Sequence, residues 1–140
     1  MTMAALTDPL GRRHRDLRVS LTDRCSMRCG YCMPEKFSDW IQGEHLLTAD
    51  EIVEVVRIAV SCGIQTVRLT GGEPLLNPQV IDIVRRIAGL ADAPEVSMTT
   101  NGLRLAQLAK PLADAGLSRV NVSLDTLDRQ RFLDITKRDR

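Results

Sequence analysis

Thr66-Val67-Arg68-Leu69-Thr70-Gly71-Gly72-Glu73-Pro74, with Asn77-Pro78 shortly after it, is the stretch on which the fold turns. Val67 and Leu69 alternate with Thr66, Arg68 and Thr70, the period-two pattern of a strand with one apolar face. The glycine pair and the proline stop that strand, and Asn77-Pro78 reads as the cap of a helix. Val80, Ile81, Val84, Ile87 and Ala88 then recur at helical spacing. A strand, a tight turn and an amphipathic helix form a βα unit, whose apolar sides must be buried against neighbours of the same kind.

Such neighbours lie on both sides. Upstream, Leu17-Arg18-Val19-Ser20-Leu21 reads as a strand that leads into a cysteine-rich segment. After a long connection, Thr48 and Glu51 form a capping box, and Ile52, Val55, Val56 and Ala59 follow on a helix stopped by Gly63. Downstream, residues 95–99 read as a strand, 103–115 as a helix bent at Pro111, 119–124 as a strand and 128–136 as the start of a helix. The order βαβαβαβα predicts an α/β fold with a parallel sheet, right-handed crossovers and helices on the outer face.

The face opposite the helices decides what kind of curved sheet this is. With Val19, Val67, Leu69, Val96, Met98, Val120 and Val122 toward the helices, alternation sends Arg18, Ser20, Thr66, Arg68, Thr70, Ser97, Thr99, Asn121 and Ser123 the other way. A packed barrel fills its interior with branched apolar side chains. This interior is polar, so it is expected to surround a wet cavity or a polar ligand. The plainer alternative is a solvent-exposed face, although such faces are usually rich in Lys and Glu rather than Arg and hydroxyls.

The chain has 140 residues, enough for one modest domain. Lys plus Arg number 19 against 18 Asp plus Glu, so no global charge draws the chain to nucleic acid or to an anionic membrane. Any anion site must be local. No run of about 18 apolar residues exists to span a membrane, and the first residues lack the basic-then-apolar order of a leader. A cytoplasmic location with reduced thiols is expected, because four cysteines, three of them within eight residues, do not make a secreted disulfide framework.

Those three stand in Cys25-Ser26-Met27-Arg28-Cys29-Gly30-Tyr31-Cys32. Offsets of four and seven would also suit one face of a helix carrying buried thiols. Ser26, Gly30 and Pro34 favour a loop instead, with Gly30 at positive φ while three thiolates wrap around a metal centre. Structural zinc wants four closed ligands, and His45 and Cys62 stand at no standard zinc spacing. Iron-sulfur cubanes usually take four cysteines, so three leave one iron open to a substrate or cofactor. Cys62, on the apolar side of its helix, reads as a core thiol. His14, within Arg12-Arg13-His14-Arg15, reads as solvated.

The cysteine segment with Met33-Pro34, and Gly71-Gly72-Glu73-Pro74 after the next strand, closely resemble the radical S-adenosylmethionine superfamily. Arg18-Val19-Ser20-Leu21-Thr22-Asp23-Arg24, Thr99-Thr100-Asn101-Gly102 and Val120-Asn121-Val122-Ser123-Leu124-Asp125 resemble, within it, the GTP 3′,8-cyclases of molybdenum cofactor biosynthesis. Asn77 stands where those cyclases commonly carry Arg. The resemblance implies the first four βα units of an incomplete (β/α)6 barrel, with residues 1–16 an N-terminal extension and 17–140 a truncated core domain. It also implies that Cys25, Cys29 and Cys32 ligate a [4Fe-4S] cluster whose open iron is chelated by S-adenosylmethionine. Tyr31, Gly72 and Ser123 match positions that hold S-adenosylmethionine, and Arg18, Arg68 and Thr99 match positions that bind GTP.

The implied reaction converts GTP to (8S)-3′,8-cyclo-7,8-dihydroguanosine 5′-triphosphate, starting with hydrogen abstraction at the ribose C3′ by a 5′-deoxyadenosyl radical. An external electron donor is a required partner, and homodimerisation of the full-length protein stays open. The cyclases are more than twice as long, so this chain alone is expected not to complete the reaction. Other readings remain beside these: a different radical enzyme, such as a peptide-modifying one, or a non-enzymatic iron-sulfur or zinc module. Arg68 paired with Glu73 or Asp125 as a structural ion pair, and Tyr31 as a packing residue, are the plainer alternatives for those side chains.

Overall fold

The computed structural model describes residues 5–34 and 36–138. The reading of the first residues as carrying no leader touches residues 1–4, which lie outside the described set. Four strands, β1 (Asp16–Ser20), β2 (Thr66–Thr70), β3 (Glu95–Thr100) and β4 (Arg119–Val122), alternate with four helices. These are α1 (Ala49–Ser61), α2 (Val80–Ala88), α3 (Leu105–Asp114) and α4 (Arg129–Thr136). The sheet is parallel throughout, in the order β1-β2-β3-β4. This is the βα succession the sequence predicts, with β1 ending one residue earlier and β4 two residues earlier than expected.

The core lies between the sheet and α1–α3. Val67, Leu69, Val96 and Met98 on the sheet are fully buried against Ile52, Val56, Ile83, Val84, Ile87 and Leu112. Burying that many branched side chains, at about 1.5–3 kcal/mol each, is what holds strands and crossover helices together. Helix α1 starts on the expected capping box: Thr48 Oγ1 accepts the Glu51 N–H while Glu51 accepts the Thr48 N–H. The chain leaves α1 through Gly63 at φ +98°, a left-handed turn that glycine adopts without steric cost.

Four local expectations are corrected. Asn77 is not the cap of α2, which starts at Val80 after Gln79; its Oδ1 instead accepts the Gln79 N–H, and its Nδ2 donates to the Leu21 carbonyl. A 3-10 turn at Pro74–Leu76 takes up the intervening length. Helix α3 begins at Leu105 rather than 103, because Asn101 and Gly102 still belong to the turn that ends β3. Val55 faces solvent although Ile52 and Val56 are buried, the apolar stripe of α1 being narrower than its composition suggests. On β4, Val122 is 51% exposed, since β4 pairs on one side only and no helix among the described residues covers it.

Register lines up the inner face in rows. Arg18 pairs with Arg68, Arg68 with Ser97, and Ser97 with Arg119; one step further toward the strand ends, Thr99 pairs with Asn121. A polar inner face is therefore observed, with a cavity of about 330 Å³ between β1 and β2 lined by Asp16, Arg18, Thr66 and Arg68. Cys62 is buried, as a core thiol should be, and His14 is exposed.

Candidate active site

The C-terminal ends of all four strands meet around the cysteine segment. Hydrogen bonding of β1 to β2 continues past Ser20: Leu21 N–H donates to the Thr70 carbonyl, Gly72 N–H to Thr22 at 2.7 Å and Glu73 N–H to Arg24 at 2.8 Å. The chain entering Cys25 is thus stitched to the Gly71-Gly72-Glu73 turn. That closeness explains the glycine pair. A Cβ on Gly71, whose φ is +147°, would run into the Thr22 carbonyl, and one on Gly72 would meet the carbonyls of Asp23 and Arg24.

The cysteine segment is a loop, not a helix. Gly30 does not take the positive φ expected of it; the loop turns without a left-handed residue there. Several contacts from the far side fix its path. Arg28 N–H donates to the Thr136 carbonyl at 2.8 Å, and Gly30 N–H to Ile135 at 3.1 Å. The Arg138 guanidinium donates to the Ser26 carbonyl at 2.7 Å. Arg28 folds back on the carbonyls of Cys25 and Met27 and lies 4.8 Å from the Trp40 ring centre.

One cavity of about 230 Å³ is lined by Cys25, Cys29 and Cys32 together with Tyr31, Gly72, Thr99 and Ser123. Seven of the nine residues singled out from sequence therefore converge. The other two, Arg18 and Arg68, line the separate cavity lower on the inner face, so Thr99 stands with the thiols rather than with the arginines. Neither arginine has an ion-pair partner among the described residues. The structural pairing considered for Arg68 is excluded by its supposed partners: Glu73 binds Thr100, Asn101 and Leu75, and Asp125 accepts the Tyr31 hydroxyl at 2.9 Å.

All four cysteines are free thiols; Cys25 and Cys29 are half-buried and Cys32 is exposed. Burial pushes the Cys29 thiol above its ordinary pKa, and the neighbouring Cys25, Cys32 and Asp125 add to the rise against an opposing hydrogen bond from Tyr31. The Tyr31 phenol is held well above its ordinary value, chiefly by its hydrogen bond to the Asp125 carboxylate. Three soft sulfur donors on one wall suit iron-sulfur ligation by chemistry. They do not converge as a single ion would require. Asn101 and Asp125 line the same cavity; their position at strand ends is the signal the sequence carries for them, with Asp125 otherwise entering only as an alternative ion-pair partner of Arg68.

A parallel α/β sheet with three thiols, a glycine pair and hydroxyls gathered at its strand ends defines a radical enzyme core. The radical SAM superfamily pattern matches residues 19–140, and this chain belongs to that superfamily. Its cofactors are accordingly a [4Fe-4S] cluster and S-adenosylmethionine. More particularly, it is 54% identical over 140 residues to GTP 3′,8-cyclase 2 of Mycobacterium tuberculosis (strain ATCC 25618 / H37Rv), covering 99% of this chain and 39% of that protein. GTP 3′,8-cyclase of Mycobacterium marinum is 56% identical over 136 residues, covering 96% of this chain and 38% of that protein. The chain thus spans about two fifths of the length of these relatives.

Among solved structures, Streptococcus suis SuiB bound to S-adenosylmethionine superposes with a TM-score of 0.69 at 20% identity, over 89% of this chain and 27% of SuiB. BtrN in complex with AdoMet and 2-DOIA gives 0.63 at 16%, over 95% of this chain and 52% of BtrN. These two likenesses establish the fold.

Proposed function

We propose that this chain carries the cluster- and S-adenosylmethionine-binding part of a GTP 3′,8-cyclase that acts in molybdenum cofactor biosynthesis. The observation that carries the reading is the convergence of Cys25, Cys29, Cys32, Tyr31, Gly72 and Ser123 on one cavity at the strand ends. The names of relatives at 54–56% identity supply the substrate. Cys25, Cys29 and Cys32 hold the cluster. Tyr31, Gly72 and Ser123 hold S-adenosylmethionine through an aromatic face, an approachable backbone and a hydroxyl. When bound, these groups supply the electron and the carbon–sulfur cleavage that start radical chemistry, which side chains cannot perform.

The chain's own residues bind, orient and shield. Arg18 and Arg68 stand side by side in register on the inner face, unpaired among the described residues and exposed or half-buried. Two planar guanidiniums in that position match the oxygens of a triphosphate. Arg119, in the same row, is already engaged with Glu95 at 3.0 Å, so the free positive charge is concentrated at β1 and β2. Thr99 lines the thiol cavity one layer beyond the arginine row, a position suited to a contact with the substrate's sugar.

Anaerobic reconstitution tests the reading. About four irons bound per three-cysteine site, 5′-deoxyadenosine formed on reduction, and conversion of GTP by the full-length protein support it. Formation of 5′-deoxyadenosine only with a peptide substrate, and not with GTP, would overturn the substrate assignment; tight zinc with no such product would overturn the enzyme reading.

A further inference from the structure

The Cys25 sulfur sits where two strand-end loops meet, and two N–H groups approach it. Met27 donates from its backbone at 3.4 Å. Asn101 Nδ2 stands 3.8 Å from the same sulfur and 3.2 Å from Ser26 Oγ. A side-chain amide has two orientations, and its hydrogen-bond network decides between them. Here Leu103 N–H donates to Asn101 Oδ1 at 3.1 Å, which turns the oxygen toward its own chain and the nitrogen toward the cysteine loop. The Asn101 backbone N–H is fixed in turn on the buried Glu73 carboxylate at 2.8 Å. Held at its backbone and at its side-chain oxygen, Asn101 is left with its donor group directed at Cys25 and Ser26.

We infer that Asn101 is a positioning residue for the metal centre: its Nδ2–H group hydrogen-bonds the Cys25 thiolate and raises the reduction potential of the cluster. The inference rests on the proposed assignment of Cys25 as a ligand. An N–H aimed at a thiolate withdraws electron density from the sulfur, which favours the more negatively charged reduced cluster. Ser26 supplies the second acceptor for the same amide, so the two hydrogens of Nδ2 are divided between sulfur and hydroxyl.

The test is a redox titration of the anaerobically reconstituted full-length protein, followed by electron paramagnetic resonance. The signal of this cluster is identified by its change when S-adenosylmethionine is added. In Asn101→Ala the reduction equilibrium is expected to fall about tenfold, a shift of about 59 mV to more negative potential for one electron. Asn101→Asp keeps the side-chain volume and the acceptor for Leu103 N–H, so the turn survives; it replaces the donor by a carboxylate and shifts the potential further in the same direction. Ser26→Ala leaves the Asn101 donor facing sulfur and stays at the unaltered potential. Unchanged potentials in both Asn101 variants overturn the inference, and so does a Ser26→Ala shift as large as that of Asn101→Ala. Cys25→Ala separates this from the ligand assignment. If that variant binds the cluster with unchanged iron content and signal, the assignment itself fails; if it loses the cluster while the Asn101 variants keep the original potential, only the inference falls.

Discussion

Glu73 and Asn101, 28 residues apart in the chain, are joined by a 2.8 Å hydrogen bond from the Asn101 backbone N–H to the Glu73 carboxylate. That carboxylate is only 1% exposed, and it also accepts the Thr100 hydroxyl at 2.6 Å and the Leu75 N–H at 3.0 Å. Three donors converging on one carboxyl group satisfy its oxygens and make its burial tolerable. The glutamate of the Gly-Gly-Glu-Pro turn therefore braces the end of β2 to the end of β3 rather than facing the cavity. Glu73→Ala is expected to strand two backbone donors and a hydroxyl, and to lower stability by about 3 kcal/mol or more in urea denaturation. Glu73→Gln, which keeps the shape but turns one acceptor into a donor, costs about 1–3 kcal/mol. Unaltered stability in both would show that the brace is not needed.

The glycines of the site divide into two kinds. Gly71 combines φ +147° with a Cβ direction that runs into the Thr22 carbonyl, whereas Gly30 has open space around it and no positive φ. Gly71→Ala is therefore predicted to destabilise by about 2 kcal/mol, within the range for a forced backbone conformation. Gly30→Ala should stay within about 0.5 kcal/mol of the original. Thermal unfolding of the two variants side by side checks this, and a Gly30→Ala loss equal to that of Gly71→Ala would contradict it.

What the sequence conveyed and what it withheld follow from the range of the interactions. The β2 alternation, the Thr48–Glu51 capping box and the βα succession are local patterns, and each appears in the fold within a residue or two. The strand-end position of the cysteines, Tyr31, Gly72 and Ser123 follows from those same local patterns, which is why one cavity gathers them. Asn77 departs from the expected cap because Asn-Pro suits both a helix cap and a turn just ahead of a helix, and the Leu21 carbonyl that engages its Nδ2 is 56 residues away. The docking of Arg138 on Ser26 spans 112 residues and leaves no periodic trace. The resemblance groups Thr99 with the arginines, whereas the fold puts it in the cavity lined by the thiols.

The capping box of α1 gives a pH dependence with a defined sign. Hydrogen bonds from the Thr48 backbone N–H and then from its hydroxyl hold the Glu51 carboxyl below its ordinary pKa. A carboxyl lowered in the folded state contributes stability that is present above its unfolded pKa and is lost as pH falls through the folded value. Glu51→Gln should therefore melt at a lower temperature than the original at neutral pH, with the gap closing on acidification below about pH 4. The effect is small, because the pair is exposed and screened by solvent. A gap that widens in acid would reverse the sign and refute the assignment.

The end of α4 and the cysteine loop act as one unit, and amide exchange can show it. Arg28 and Gly30 donate their backbone N–H groups to the carbonyls of Thr136 and Ile135, while Arg138 clamps the Ser26 carbonyl from the same side. Thr136 is itself buried, its hydroxyl donating to the Phe132 carbonyl at 2.7 Å, so the acceptor side of this contact is rigid. Opening of the loop must then break the Arg138 bond before the two amides reach water. Removing a charge-assisted hydrogen bond worth about 1.5 kcal/mol should raise the open population about tenfold. In Arg138→Ala, exchange at Arg28 and Gly30 is accordingly predicted to speed up by about tenfold, while the amides of β2 keep their protection. Equal acceleration in β2 would mean that the substitution loosened the whole sheet, and no acceleration at Arg28 would mean that the loop is held without α4.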